Sequence, residues 1–349
     1  MLERLATLFQ FPKARFSRAT LKRILFGGLG GSAGVLSVMV VVGLFIVETL
    51  TRPKRVESPY AHYTFSPFEL GLPAEEVSFA PLDGEHQVSG WYVPCPQATT
   101  TILLCPGYRG SRVDVLGLCA HLWKAGHNVL AFEYYGHGAI VGKPVTLGYR
   151  EMNDFLGAAA YAKSRAPQAR IGAVGYSMGA AVAIMCCARS MEIEALIADS
   201  AFATHKSVLE YAVQRTLHLP FALFDWITDL LLWWRAGYHF NQVEPLRDIG
   251  RIAPRPVLII HGLKDSIVDP RDASLLYEAA GDSKELWLLP GIEHCGAYFA
   301  DRENYVNKVI DFFDLNLKNT WLSKPLTVHS ADGEVTIDPT AEQQLPEAS

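Results

Sequence analysis

Ser177 lies in the run Gly175-Tyr176-Ser177-Met178-Gly179, with a glycine two residues before it and another two after. A short apolar run, Ile171 to Val174, precedes it, and the helix formers Ala180, Ala181, Ala183 and Met185 follow. This pattern fits a strand-to-helix turn too tight for side chains at the two glycine positions. Such a turn exposes a strained serine above a helix N-terminus, which favours negative charge. The same five residues also suit a glycine-rich loop with an idle serine, so the chemistry depends on partners.

A serine hydroxyl becomes a useful nucleophile when a base takes its proton and an acid holds that base in the right tautomer. In sheets of this kind the order along the chain is serine, acid, histidine. Asp265 follows the apolar run Val257 to Ile260 within His261-Gly262-Leu263-Lys264-Asp265. His294 follows a last strand that ends in Leu289-Pro290-Gly291-Ile292-Glu293-His294-Cys295-Gly296. Both therefore fall just past strand ends, where such sites assemble. Imidazole exchanges a proton near neutral pH and suits the base-then-acid role.

Asp199 is the competing acid, because it ends the strand after the serine's own. Asp269, just before Pro270, reads as a helix cap, and His137 belongs to the loop Tyr134-Tyr135-Gly136-His137-Gly138. An oxyanion would need two fixed N–H donors. The candidates are the backbone N–H groups of Met178 and of Tyr108, the latter in Cys105-Pro106-Gly107-Tyr108-Arg109-Gly110. Arg109 is either an anion contact or a solvated loop arginine.

The elements that must position these residues alternate. Apolar runs at 101–105, 128–133, 171–174, 195–199, 256–261 and 285–289 are separated by helical stretches such as 112–125, 148–165 and 270–280. Glu75 to Ala80 and His86 to Val93 flank Asp83-Gly84, a hairpin signal. This predicts an α/β fold: about eight strands, mostly parallel, with helices on both faces. More than fifty residues separate Asp199 from Pro256, far more than a crossover needs. The excess, about 204–253, reads as a helical lid. Its aromatic residues Trp226, Trp233 and Trp234 are candidate substrate contacts.

The N-terminus reads as a basic segment (1–23), an uncharged apolar run (24–47) and a proline-bearing linker (48–74). Twenty-four residues make a helix of about 36 Å, against a hydrocarbon core of about 30 Å. The expectation is one transmembrane helix. Basic residues flanking it number five on the N-terminal side and three on the other, which places the main domain (75–321) on the non-cytoplasmic side. Residues 322–349 read as a disordered acidic tail.

The net charge of −5 offers no footprint for nucleic acid. Six cysteines are too few for a disulfide scaffold and show no zinc-ligand spacing, so no metal is expected.

On these motifs the chain, from about Glu75 to Leu317, resembles the α/β-hydrolase superfamily. Cys105 to Gly110 resembles its oxyanion loop and Phe132 to Gly138 its Asp-Tyr-Arg-Gly-His-Gly loop. Gly175 to Gly179 resembles the nucleophile elbow, His261 to Val268 the acid loop, and Gly291 to His294 the histidine loop. The layout is similar to the membrane-anchored BEM46/ABHD13-like branch. Pro106 stands where many members carry histidine, and Glu133 where many carry aspartate. The resemblance implies hydrolysis without a cofactor. The expected partner is a small-molecule or lipid substrate bearing an ester or thioester. A serine peptidase or amidase, or a non-catalytic binding protein on the same fold, are the alternatives.

Overall fold

The computed structural model describes residues 32–52, 65–138, 143–218, 220–318, 326–330 and 333–337. The basic segment (1–23), the first residues of the apolar run (24–31) and residues 53–64 of the linker lie outside these residues. The elements in chain order begin with α1 (Ser32–Thr51), β1 (Glu75–Phe79), β2 (Val88–Val93), β3 (Thr100–Cys105) and α2 (Leu116–Lys124). Next come β4 (Asn128–Phe132), α3 (Glu151–Arg165), β5 (Arg170–Tyr176), α4 (Met178–Cys187) and β6 (Ile193–Asp199). After them follow α5 (His205–Leu217), α6 (Asp225–Ala236), β7 (Val257–Gly262), α7 (Arg271–Ala279), β8 (Lys284–Leu289) and α8 (Arg302–Phe313).

The eight strands form one sheet in the order β1-β2-β4-β3-β5-β6-β7-β8. Only the β1–β2 and β2–β4 pairs are antiparallel. The hairpin read at Asp83-Gly84 is the β1–β2 connection. The central strands are buried along their whole length, and successive side chains face opposite layers, as the two-residue period requires. Ile102, Leu104, Ala195, Ile197, Leu258 and Ile260 face the layer of α2 and α8. Leu103, Cys105, Leu196, Ala198, Val257 and Ile259 face the layer of α3, α4 and α7. Helices are needed on both faces because both faces are apolar.

The sheet reverses its order at β3, which has β4 on one side and β5 on the other. A crevice opens at such a switch point, beyond the C-terminal strand ends. Register brings those ends level: Cys105 pairs with Gly175, Tyr176 with Asp199, and Gly262 with Leu289.

The N-terminal expectation needs correction. Among the described residues no helix is long and apolar enough to cross a membrane, so the transmembrane helix and the single-pass location are not supported. The apolar residues of α1 have another use. Ile46, Val47 and Leu50 are buried in the same core as Leu103 and Phe155. The helix packs along α6, with Gly43 so close that a Cβ there would stand 2.8 Å from Leu231. Arg235 of α6 approaches Glu48, and the Val145 N–H donates to the Thr51 carbonyl at 2.9 Å. One face of the apolar run's C-terminal half packs into the domain, while Leu36, Val41 and Leu44 stay exposed.

The tail departs from the reading as well. Leu326–Ser330 and Gly333–Ile337 pair as an antiparallel hairpin. Leu326, Val328, Val335 and Ile337 alternate with polar residues there, a strand pattern that the acidic composition masked.

If α1 is part of the core, its truncation is costly. Leu50→Ala is expected to lower unfolding stability by about 2–4 kcal/mol in urea. A loss below about 0.5 kcal/mol would show that α1 merely lies on the domain.

Candidate active site

Ser177 follows β5 with φ 53° and ψ −117°, a conformation that L-residues adopt only under constraint. The flanking glycines account for it. A Cβ at Gly175 would lie 2.5 Å from the Ala180 Cα, and one at Gly179 would lie 2.4 Å from the carbonyl oxygens of Cys105 and Pro106. Any larger residue at either position would open the turn. The Ser177 N–H donates to the Asp199 carbonyl at 2.8 Å, which continues the β5–β6 ladder through the strained residue.

The loop after β3 runs beside the serine: a Cβ at Gly107 would stand 3.3 Å from Ser177 Cβ. The N–H groups of Tyr108 and Met178 donate to no acceptor among the described residues. The Tyr108 hydroxyl donates to the carbonyls of Thr49 and Leu50, at 3.1 and 2.9 Å. This ties the loop to the C-terminal end of α1, whose carbonyls lack helical partners.

Asp265 and His294 meet across the ends of β7 and β8. His294 Nδ1 and Asp265 Oδ2 are 2.6 Å apart. Asp265 Oδ1 accepts from the N–H groups of Ile267 and Val268 at 2.8 and 2.9 Å. Burial by itself would raise the Asp265 pKa. The facing imidazoles of His261 and His294 outweigh it, and the carboxyl stays well below the usual carboxylate range. For His294 burial disfavours the charged ring; the Cys295 sulfur and the Asp265 carboxylate offset that, and the net direction is upward. The two loops are pressed together at Gly262, where a Cβ would lie 2.4 Å from the Ile292 carbonyl oxygen.

Ser177 and His294 line one cavity of about 470 Å³. Its walls are the β3 loop with Tyr108, Arg109 and Asp114, the start of α2 with Val115 and Leu118, and Ile267, Cys295, Tyr298 and Phe299. Ser177 Oγ makes no hydrogen bond among the described residues; apo sites often hold this pair loosely.

Asp199, the rival acid, is committed elsewhere. Its carboxylate accepts from the Ser200 and Tyr305 hydroxyls at 2.9 Å each, and burial pushes its pKa up. His137 is buried and its Nδ1 faces the Tyr135 carbonyl at 3.1 Å. Glu133, where aspartate was the family expectation, lies buried beneath Arg112, with 3.7 Å between Oε1 and the guanidinium.

The lid aromatics are a second correction. Trp226, Trp233 and Trp234 are 55%, 51% and 69% exposed, and none lines the cavity. The face of α6 that packs inward carries Ile227, Thr228 and Leu232, against α1 and the core, which turns the tryptophans outward. Cavity residues that the sequence reading gave no role are Val115, Leu118, Tyr298 and Phe299. Only their position after β3 and after His294 could have marked them. Tyr211 of α5 was also missed; its hydroxyl donates to the Asp265 carbonyl at 2.9 Å.

The family model for serine aminopeptidases of the S33 group matches residues 96–239. The uncharacterized Bacillus subtilis protein YqkD is 29% identical over 262 residues, 74% of this chain and 85% of that one. Escherichia coli YfhR, also uncharacterized, is 28% identical over 252 residues, 68% of this chain and 80% of that one. Among solved structures, the Pyrococcus furiosus esterase Pf2001 superposes with a TM-score of 0.62 at 24% identity, covering 76% of this chain and 100% of the esterase.

The pairing of Asp265 with His294 gives a signed pH expectation. Were His294 to take a proton from Ser177, it would have to do so as the neutral imidazole, and its pKa is raised. Turnover should therefore fall on acidification with a midpoint above 6.5, the ordinary histidine value. Asp265→Asn should lower turnover by roughly 10²–10⁴-fold and Asp199→Asn far less. A larger loss in Asp199→Asn would reassign the acid. Sheet order and the likeness to the Pf2001 esterase give this chain the α/β-hydrolase fold.

Proposed function

We propose that this protein is a serine hydrolase that cleaves carboxylic ester or thioester bonds through Ser177, His294 and Asp265. The observation that carries the reading is a strained serine sharing a cavity with a histidine whose Nδ1 is 2.6 Å from a buried carboxylate. Ser177 Oγ attacks the acyl carbon while His294 Nε2 takes its proton. The N–H groups of Tyr108 and Met178 serve the oxyanion. His294 then gives that proton to the departing alkoxide or thiolate, leaving an acyl-serine. Water, deprotonated by the same imidazole, releases the acid. Asp265 keeps the hydrogen on Nδ1 so that Nε2 faces the serine.

The walls support an apolar substrate portion. Val115, Leu118, Ile267 and Phe299 offer no hydrogen bond, and the cavity suits a short-to-medium acyl chain. The S33 match favours a second reading, an aminopeptidase. Such an enzyme needs a free carboxylate for the substrate's amino terminus. Asp114 is the acid in the cavity wall, with its Oδ2 turned to the Ser111 N–H at 2.7 Å; the ester reading is preferred for the apolar walls.

A panel of p-nitrophenyl esters tests this. kcat/KM should rise from acetate towards medium chains, by at most about fourfold per added methylene. Phe299→Ala should flatten that rise, whereas alanine at both Trp233 and Trp234 should leave its slope in place. Turnover of aminoacyl naphthylamides with no ester hydrolysis would favour the aminopeptidase instead.

A further inference from the structure

His261 is a buried imidazole that the reaction above does not use. It lies near the end of β7, fully out of solvent. Its Nε2 stands 3.1 Å from Asp265 Oδ2, the oxygen that also faces His294 Nδ1. Neither ring nitrogen makes a well-directed hydrogen bond among the described residues. A buried imidazole without such a bond is expensive unless a charge compensates it, and the Asp265 carboxylate is the charge at hand.

The arrangement around Asp265 is divided by oxygen. Oδ1 is filled by two backbone N–H groups, which leaves Oδ2 to the two imidazoles. Other titratable groups pack nearby: Asp199 from β6, Asp272 from α7, Tyr211 from α5, and Cys295 beside His294. Asp199 is held by hydroxyls, and Asp272 accepts from the Ala203 N–H and the Ser207 hydroxyl. Tyr211 is spent on the Asp265 backbone carbonyl, and the Cys295 N–H on Ser200. None of these contacts occupies Oδ2.

We infer that His261 is a positioning residue for the acid–base pair: with a hydrogen on Nε2, it shares Asp265 Oδ2 with His294, so that His294 receives only part of the carboxylate's charge. The inference rests on the triad reading above. Its consequence follows from electrostatics. Removing the second imidazole leaves the whole of that oxygen to His294, stabilises the imidazolium, and makes His294 harder to deprotonate.

Two substitutions separate this role from mere packing. His261→Phe keeps a ring but no donor, and His261→Gln keeps a donor. The acid limb of kcat/KM against pH should move upward by roughly half a unit to one unit in His261→Phe and much less in His261→Gln. An unmoved limb in a folded His261→Phe protein overturns the inference. If that variant does not fold, or no ester is hydrolysed, nitrogen-15 histidine spectra of the wild-type protein decide. A hydrogen on His261 Nε2, with a resonance that shifts in Asp265→Asn, supports the sharing. A hydrogen on Nδ1 alone overturns it. The tautomer does not depend on turnover, so the failure of this inference and the failure of the hydrolase reading give different results.

Discussion

A carboxylate taken out of water must collect enough donors to stay charged, and the site depends on Asp265 meeting that demand. Its side chain is fully buried, with two backbone N–H groups on one oxygen and imidazoles facing the other. These partners come from different parts of the chain: the acid loop itself, the end of β7 and the loop after β8. They converge because parallel register brings strand ends level. A one-residue slip of β8 against β7 would separate His294 from its acid. The sheet and the site are therefore one constraint seen at two scales.

Much of this was readable from local signals. Gly175 and Gly179 announce the elbow because no side chain fits there, and the contacts a Cβ would make bear that out. Strand periodicity and the Asp83-Gly84 turn were local too, and the eight-stranded sheet followed. What escaped depended on which surface meets which. Amphipathicity says that α6 has an apolar face; it does not say that Ile227 and Leu232 take the core while Trp233 and Trp234 face out. The apolarity of α1 was likewise real, and its use was misread. His261 was quoted as part of a motif, yet its distance from Asp265 exists only after β7 and its loop are folded.

The link between α1 and the β3 loop adds a constraint. The Tyr108 hydroxyl bonds carbonyls at the end of α1, while Tyr108 and Ser177 line the same cavity. Donors aimed at an oxyanion act through fixed placement, since reorganisation costs what preorganisation saves. A helix that packs on α6 and the core is thus also a support for the loop above the serine. The cavity takes its apolar wall from α2 and the segment after His294, and the tryptophans of α6 do not line it.

Ser177 is the nucleophile of the proposed reaction. Reaction of the folded protein with a fluorophosphonate, followed by peptide mass spectrometry, tests it most directly. One adduct is expected, on the peptide that carries Ser177, formed more slowly as pH falls and absent after denaturation. A folded protein that leaves Ser177 unmodified, or that carries the adduct on another residue such as Cys295, would contradict it.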